Sequence, residues 1–115
     1  MKGDRAYLLH MRDACDRVLE YAGRGEALFL AESLVQDAIL RNLQVIGEAA
    51  RRVSEATRAV TPRIPWRAMT GMQNRLVHDY FEVDLPLVWQ TAVNDIPAPR
   101  RELSALLEHG EPSPP

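Results

Sequence analysis

Residues 38–50 of the chain read AILRNLQVIGEAA, and this stretch decides the class of fold. Its apolar residues recur at spacings of three and four, which places them on one face of an α-helix. The pattern extends in both directions and predicts one long helix from about Leu28 to Thr57. Its apolar stripe consists of Leu30, Leu34, Ala38, Ile39, Leu40, Leu43, Ile46, Ala50 and Val53.

A single glycine, Gly47, lies inside this predicted helix. Glycine costs a helix about 1 kcal/mol relative to alanine, so its presence indicates a reason of packing. Together with Ala49 and Ala50 it leaves little side-chain bulk on part of the helix surface. We therefore expect a second helix to approach closely there.

Further amphipathic segments lie on both sides of this helix. Apolar residues at helical spacing predict a first helix from Asp4 to Ala22, and Gly23 and Gly25 end it. After a proline-containing linker, the sequence predicts another helix from Trp66 to about Tyr80.

The C-terminal third begins a further helix at Asp84, whose side chain is a suitable N-cap before Leu85-Pro86. Pro97 and Pro99 are expected to interrupt this helix. A last apolar-periodic segment follows, from Arg100 to Glu108.

These segments predict an all-α protein, an antiparallel bundle of four to five helices, since no stretch alternates with period two. The length of 115 residues fits one domain, expected over residues 1–109, with a flexible C-terminal tail at 110–115. One cysteine, Cys15, cannot form an internal disulfide and favours a cytoplasmic protein. No apolar run approaches the roughly 20 residues that span a membrane.

Charge is unevenly distributed along the chain, whose net charge is only −2. Residues 41–75 carry seven arginines and two glutamates, hence +5, whereas residues 1–40 sum to −2 and residues 76–115 to −5. Arginine binds phosphate through a planar fork of donors. The basic middle third is therefore either a local phosphate-binding surface or a solvated helix face.

The stretch of residues 64–81, IPWRAMTGMQNRLVHDYF, resembles the HepT-like proteins of the HEPN superfamily. Three further stretches resemble the same proteins and follow the order found in that family: Asn42–Ala50, Val83–Trp89 and Asn94–Pro97. The resemblance covers nearly the whole sequence, and several separate stretches agree.

This resemblance implies a HEPN-like helical bundle that forms a homodimer or a higher oligomer. It implies that the chain is the toxin of a type II-like toxin–antitoxin system and that its antitoxin is a minimal nucleotidyltransferase. It also implies that the chain cleaves RNA without a metal ion. No cofactor is implied for the chain itself. It further implies that the antitoxin, using ATP and magnesium, can transfer AMP to the tyrosine of the motif R-x4-6-H-x-Y and so silence the toxin.

Carried over by position, the motif histidine is His78 and the motif tyrosine, the AMP acceptor, is Tyr80. The motif arginine would fall five positions before the histidine, where this chain has Gln73. Arg75, three positions before His78, is the candidate substitute.

Chemistry supports these roles. RNA supplies its own 2′-hydroxyl nucleophile, so cleavage needs a base, an acid and positive charge on the phosphorane. His78 can exchange protons near neutral pH, and Arg75 can bind phosphate oxygens. On a continuous helix Arg75 and Asn74 share the face of His78, and a two-fold dimer would bring two copies into one cleft. Asn74, Asp79 and Gln73 are expected to be supporting polar groups, and no metal site is expected.

Two alternatives remain open. The absence of arginine at Gln73 is compatible with a catalytically weakened protein that binds the nucleotidyltransferase or RNA without cutting. An unrelated helical dimer with a scaffold role is the other. Structural roles are expected for several further residues: Glu48 as a hydrogen-bonding partner of the third helix, His10 at the surface, and Cys15, Trp66 and Trp89 in packing.

Overall fold

The computed structural model describes residues 2–76 and 82–108, and within these ranges every regular element is helical. The α-helices are α1 (Arg5–Ala22), α2 (Glu26–Ala31), α3 (Ser33–Arg52), α4 (Glu55–Ala59), α5 (Trp66–Thr70), α6 (Met72–Leu76), α7 (Leu85–Gln90) and α8 (Pro97–Glu108). A 3-10 turn precedes α1, and a π-helical segment, Thr91–Asp95, joins α7 to α8. The all-α prediction is confirmed for this part of the chain.

The core lies where α1 packs along α3 and where α8 covers α1. Side chains with no exposed surface meet there: Leu8, Met11, Cys15 and Val18 of α1, Ile39, Leu43 and Ile46 of α3, and Leu103 of α8. Arg100 of α8 donates to Asp16 of α1 over 2.7 Å at the rim of this contact. None of the described helices is both long and apolar enough to cross a bilayer.

Helix α1 matches its predicted bounds. The N–H of Gly23 donates to the Leu19 carbonyl, and Gly25 has a φ of 107°, a conformation that glycine adopts without strain. The predicted surface position of His10 and buried position of Cys15 are confirmed. Burial raises the pKa of the Cys15 thiol to about 12, with a further contribution from Asp16, so this cysteine is not a reactive thiol.

The single helix predicted from Leu28 to Thr57 is wrong, because the chain breaks at Glu32 and again at Val53–Ser54. Both breaks are stabilised by side chains. Gln36 donates to the carbonyl of Phe29 at 2.9 Å and satisfies the end of α2. At the first break the apolar stripe also fails, since Leu30 and Leu34 are 58% and 79% exposed.

The second break belongs to a buried cluster around Asp4. Its carboxylate accepts from the Ser54 hydroxyl at 2.6 Å, the Ser54 N–H at 3.1 Å and the Thr57 hydroxyl at 2.5 Å. Ser54 in turn caps α4 by accepting from the N–H of Thr57. Burial opposes ionisation, but these hydrogen bonds outweigh it and hold the pKa of Asp4 below its usual value.

The helix predicted from Trp66 to Tyr80 is divided at Gly71 into α5 and α6, and its last four positions lie outside the described residues. The expected cap at Asp84 is confirmed, since its carboxylate accepts from the Leu87 N–H at 3.0 Å. The expected interruption is present at Ile96, before Pro97, but Pro99 lies inside the first turn of α8, which begins at Pro97 and not at the predicted Arg100. His109 and the predicted tail at 110–115 lie outside the described ranges.

The π-helical segment begins at a buried polar residue that the sequence did not single out. Thr91 has no exposed surface, and its hydroxyl has no hydrogen-bond partner among the described residues. A buried hydroxyl without a partner is costly to desolvate. Thr57, also buried, provides a matched contrast because its hydroxyl is bound to Asp4.

We expect Thr91→Val to leave stability unchanged or raise it by up to about 1 kcal/mol, because valine replaces the unpaired hydroxyl with a methyl group of similar shape. The control Thr57→Val should lower stability by about 1–3 kcal/mol, since it removes a donor from buried Asp4. Urea unfolding measures both changes. Equal losses in the two variants would show that the Thr91 hydroxyl has a partner.

Candidate active site

Helices α5 and α6 border an open surface groove of about 630 Å³, here called the motif groove. Its lining residues are Pro65, Trp66, Arg67, Ala68, Gly71 and Arg75. Both arginines are exposed, and the side chain of neither forms a hydrogen bond or ion pair within the described part of the chain. Two guanidinium groups therefore face the groove with their donors available.

The spacing of the two arginines along the chain is compatible with this shared groove. Arg67, Gly71 and Arg75 follow one another at intervals of four residues, which places them on one side of a helical path. The N–H of Gly71 donates to the Arg67 carbonyl at 3.1 Å, so the path stays helical at the junction of α5 and α6. Gly71 itself places no side chain between the two arginines.

The position of α5 depends on α3. A Cβ atom at Gly47 would lie 3.3 Å from the Met69 carbonyl oxygen, so α3 and α5 approach closely there, as predicted. Arg51 strengthens this contact by donating to the Thr70 carbonyl at 3.1 Å and to Glu48 at 2.8 Å. No hydrogen bond joins Glu48 directly to the predicted third helix among the described residues. Arg51 links the two, because it donates to both Glu48 and the Thr70 carbonyl.

Trp66 holds the first turn of α5 and one wall of the groove. Its indole N–H donates to the carbonyl and the hydroxyl of Thr61, at 3.2 and 3.1 Å. Arg58 stacks over the ring at 5.7 Å and donates to the Ala50 carbonyl at 2.8 Å, at the end of α3. The expected packing role of Trp66 is confirmed, and Trp89 likewise packs against Phe29 with ring centres 5.3 Å apart.

The predicted site residues divide into two groups. Arg75 and Asn74 are exposed residues of α6, and Gln73 belongs to the same helix. His78, Asp79 and Tyr80 lie outside the described residues, so their contacts with Arg75 stay predictions.

Leu76 and Asp84, which lie on either side of the undescribed residues 77–81, are joined by a hydrogen bond. The backbone N–H of Asp84 donates to the carbonyl of Leu76 at 3.0 Å, and Leu76 is fully buried. This hydrogen bond therefore ties the last residue of α6 to the N-cap residue of α7.

Arg67 is the residue that sequence analysis missed. Its position eight residues before Arg75 was visible in the sequence, but the break at Gly71 and the shared groove were not. Paired guanidinium groups on an open groove suit a phosphodiester, since each can donate two hydrogen bonds to phosphate oxygens. The geometry of the groove is thus compatible with a nucleic-acid phosphate.

Comparison with known proteins gives one consistent result. A family model described as Ribonuclease HepT-like matches residues 11–106. A candidate RNase of Caldanaerobacter subterraneus subsp. tengcongensis is 29% identical, over 94% of this chain and 97% of that protein. A candidate RNase of Methanocaldococcus jannaschii is 30% identical, over 86% of this chain and 92% of its own length.

A third relative, from Thermococcus cleftensis, is named "Probable ribonuclease HepT". It is 40% identical over 61% of this chain and 64% of its own length. No solved structure matches the chain at a significant level. The family model covers most of the residues, in agreement with the resemblance read from the sequence, and the chain therefore belongs to the HepT-like ribonuclease family.

Proposed function

We propose that the protein is an RNA-cleaving toxin that acts as a homodimer of HEPN-like bundles, each of four to five helices. The observation that carries the proposal is the motif groove, in which the guanidinium groups of Arg67 and Arg75 have no partner among the described residues of a HepT-like chain. In the proposed mechanism the groove holds the scissile phosphodiester. The names of the relatives support the same class of activity.

His78 exchanges the protons in this mechanism. As a base it takes the proton of the 2′-hydroxyl, whose oxygen attacks the adjacent phosphorus, while the bond to the 5′-oxygen breaks. The His78 of the second copy returns a proton to that leaving oxygen. The products are a 2′,3′-cyclic phosphate and a free 5′-hydroxyl, and this route needs no metal ion.

The arginines stabilise the charge that develops on phosphorus. Arg75 takes the role of the missing motif arginine, and Arg67 contributes a second guanidinium to the same groove. Asn74, Asp79 and Gln73 serve as supporting polar groups. Because neither arginine is engaged in an ion pair with another described residue, substrate binding need not break an internal contact.

The purified protein is expected to cut single-stranded RNA in the presence of EDTA and leave cyclic phosphate ends. His78→Ala should slow cleavage by about 10²–10⁴-fold, the usual contribution of a general acid or base. Arg75→Gln and Arg67→Gln should each slow it, while the control Arg17→Gln, an exposed arginine of α1, should not. Undiminished cutting by the His78 variant would contradict the mechanism.

A second candidate function follows from Gln73. A chain that lacks the motif arginine could bind RNA or the nucleotidyltransferase without cutting. The variant Gln73→Arg distinguishes the two candidates in the same cleavage assay. An inert parent whose Gln73→Arg variant cuts RNA would establish the binding role, and robust cleavage by the parent would exclude it.

The proposal includes a minimal nucleotidyltransferase as antitoxin, and Tyr80 as the acceptor of AMP. Incubation with the cognate nucleotidyltransferase, ATP and magnesium should add the mass of AMP to Tyr80 and stop RNA cleavage. Tyr80→Phe should remain unmodified, whereas the control Tyr21→Phe, on α1, should be modified as well as the parent. Peptide mass spectrometry measures the modification, and AMP on a different residue would contradict the assignment.

A further inference from the structure

A second groove lies between α1 and α3, and none of its lining residues lines the motif groove. It has a volume of about 210 Å³ and is called the α1–α3 groove below. It is lined by Tyr7, His10, Arg41, Val45, Glu48, Ala49 and Arg52. The mechanism proposed above uses none of these residues.

The charges in this groove are predominantly positive. Arg41 and Arg52 are exposed, and no hydrogen bond or ion pair joins the guanidinium group of either to another described residue. Glu48 is the one carboxylate among the lining residues, and Arg51 already pairs with it at 2.8 Å. The groove therefore presents two available guanidinium groups and little opposing charge.

The spacing of these groups favours a polymer over a small anion. Arg41 and Arg52 are eleven residues apart on α3, which is about three helical turns and about 16 Å along the helix axis. Three full turns return both side chains to the same side of the helix. Two cations so far apart along one line match phosphates a few nucleotides apart on one strand better than one isolated phosphate.

Helix α1 supplies the other wall. Tyr7 and His10 are three residues apart and share one helix face. The half-buried ring of Tyr7 offers an aromatic surface beside the arginines, and the exposed imidazole of His10 offers a hydrogen-bond donor. Proteins that bind single-stranded nucleic acid combine basic grooves with aromatic surfaces on which bases stack.

The two grooves are connected through Arg51. Its guanidinium contacts Glu48, which lines the α1–α3 groove, and the Thr70 carbonyl, adjacent to Gly71 of the motif groove. A further guanidinium group, that of Arg51, therefore lies between residues that border the two grooves.

We propose that the α1–α3 groove is a second, non-catalytic site that binds the phosphodiester backbone of single-stranded RNA through Arg41 and Arg52. This proposal rests on the proposed function, because the α1–α3 groove would extend the path of the same RNA substrate beyond the cleaved bond. Its contribution is to affinity for long RNA, and it takes no part in the chemical reaction.

The test uses the full chain with His78→Ala, which prevents cleavage during the measurement. Binding of a fluorescent single-stranded oligonucleotide is measured by anisotropy at several salt concentrations, with and without Arg41→Gln plus Arg52→Gln. Each lost phosphate contact reduces the slope of log affinity against log salt by about 0.7, so the double variant should lose about 1.4. Circular dichroism checks that these exposed substitutions leave the fold intact.

The matched control is Arg17→Gln plus Arg101→Gln, which removes the same charge from exposed arginines outside the groove. Its slope should equal that of the parent. Equal slopes for both double variants, or no RNA binding by the parent, would overturn the proposal. So would a change of oligomeric state alone, which would mark a contact between subunits.

A dinucleotide assay separates this proposal from the proposed function. With His78 restored, the Arg41 and Arg52 variant should cut a dinucleotide at the parental rate, because so short a substrate does not reach the α1–α3 groove. If the parent cuts no RNA, the ribonuclease proposal fails, whereas the anisotropy slopes still decide whether this groove binds RNA.

Discussion

The close approach of α3 to α5 is the constraint on which the candidate site depends. Gly47 lets the Met69 carbonyl come within 3.3 Å of the place a Cβ atom would occupy, so a larger residue there would require α5 to shift slightly away from α3. Arg51 then bonds to the carbonyl of Thr70 across the same interface. The two contacts set where α5 and α6 present their arginines, so a residue far from the proposed chemistry determines the shape of the motif groove.

The arginines of the basic middle third have two different structural roles. The chain is slightly acidic, yet its middle third is basic. Arg51 and Arg58 are engaged by backbone carbonyls and stabilise helix ends. Arg67 and Arg75 have no such partners among the described residues and line an open groove. Composition alone does not separate these roles, because both require the same guanidinium group.

The departure at Gln73 defines the main chemical question for this member of the family. A neutral amide cannot supply the charge that an arginine would place near the reacting phosphate. Two guanidinium groups elsewhere on the groove wall, those of Arg67 and Arg75, are the available source of that charge in the proposed mechanism. The family membership and the altered motif are therefore compatible with activity through a different arrangement of cations.

The sequence by itself determined the helical class, the bounds of α1, the cap at Asp84 and the family, because periodicity, caps and motif spacing are local signals. It did not determine the breaks at Glu32 and Ser54, where a continuous helix was expected. The break at Ser54 is stabilised by contacts between residues distant in sequence, those of Asp4 with Ser54 and Thr57, whereas the break at Glu32 is stabilised by the nearby Gln36. Which arginines share a groove was likewise decided only by the tertiary structure, since helical spacing orders side chains around one axis but does not place neighbouring helices.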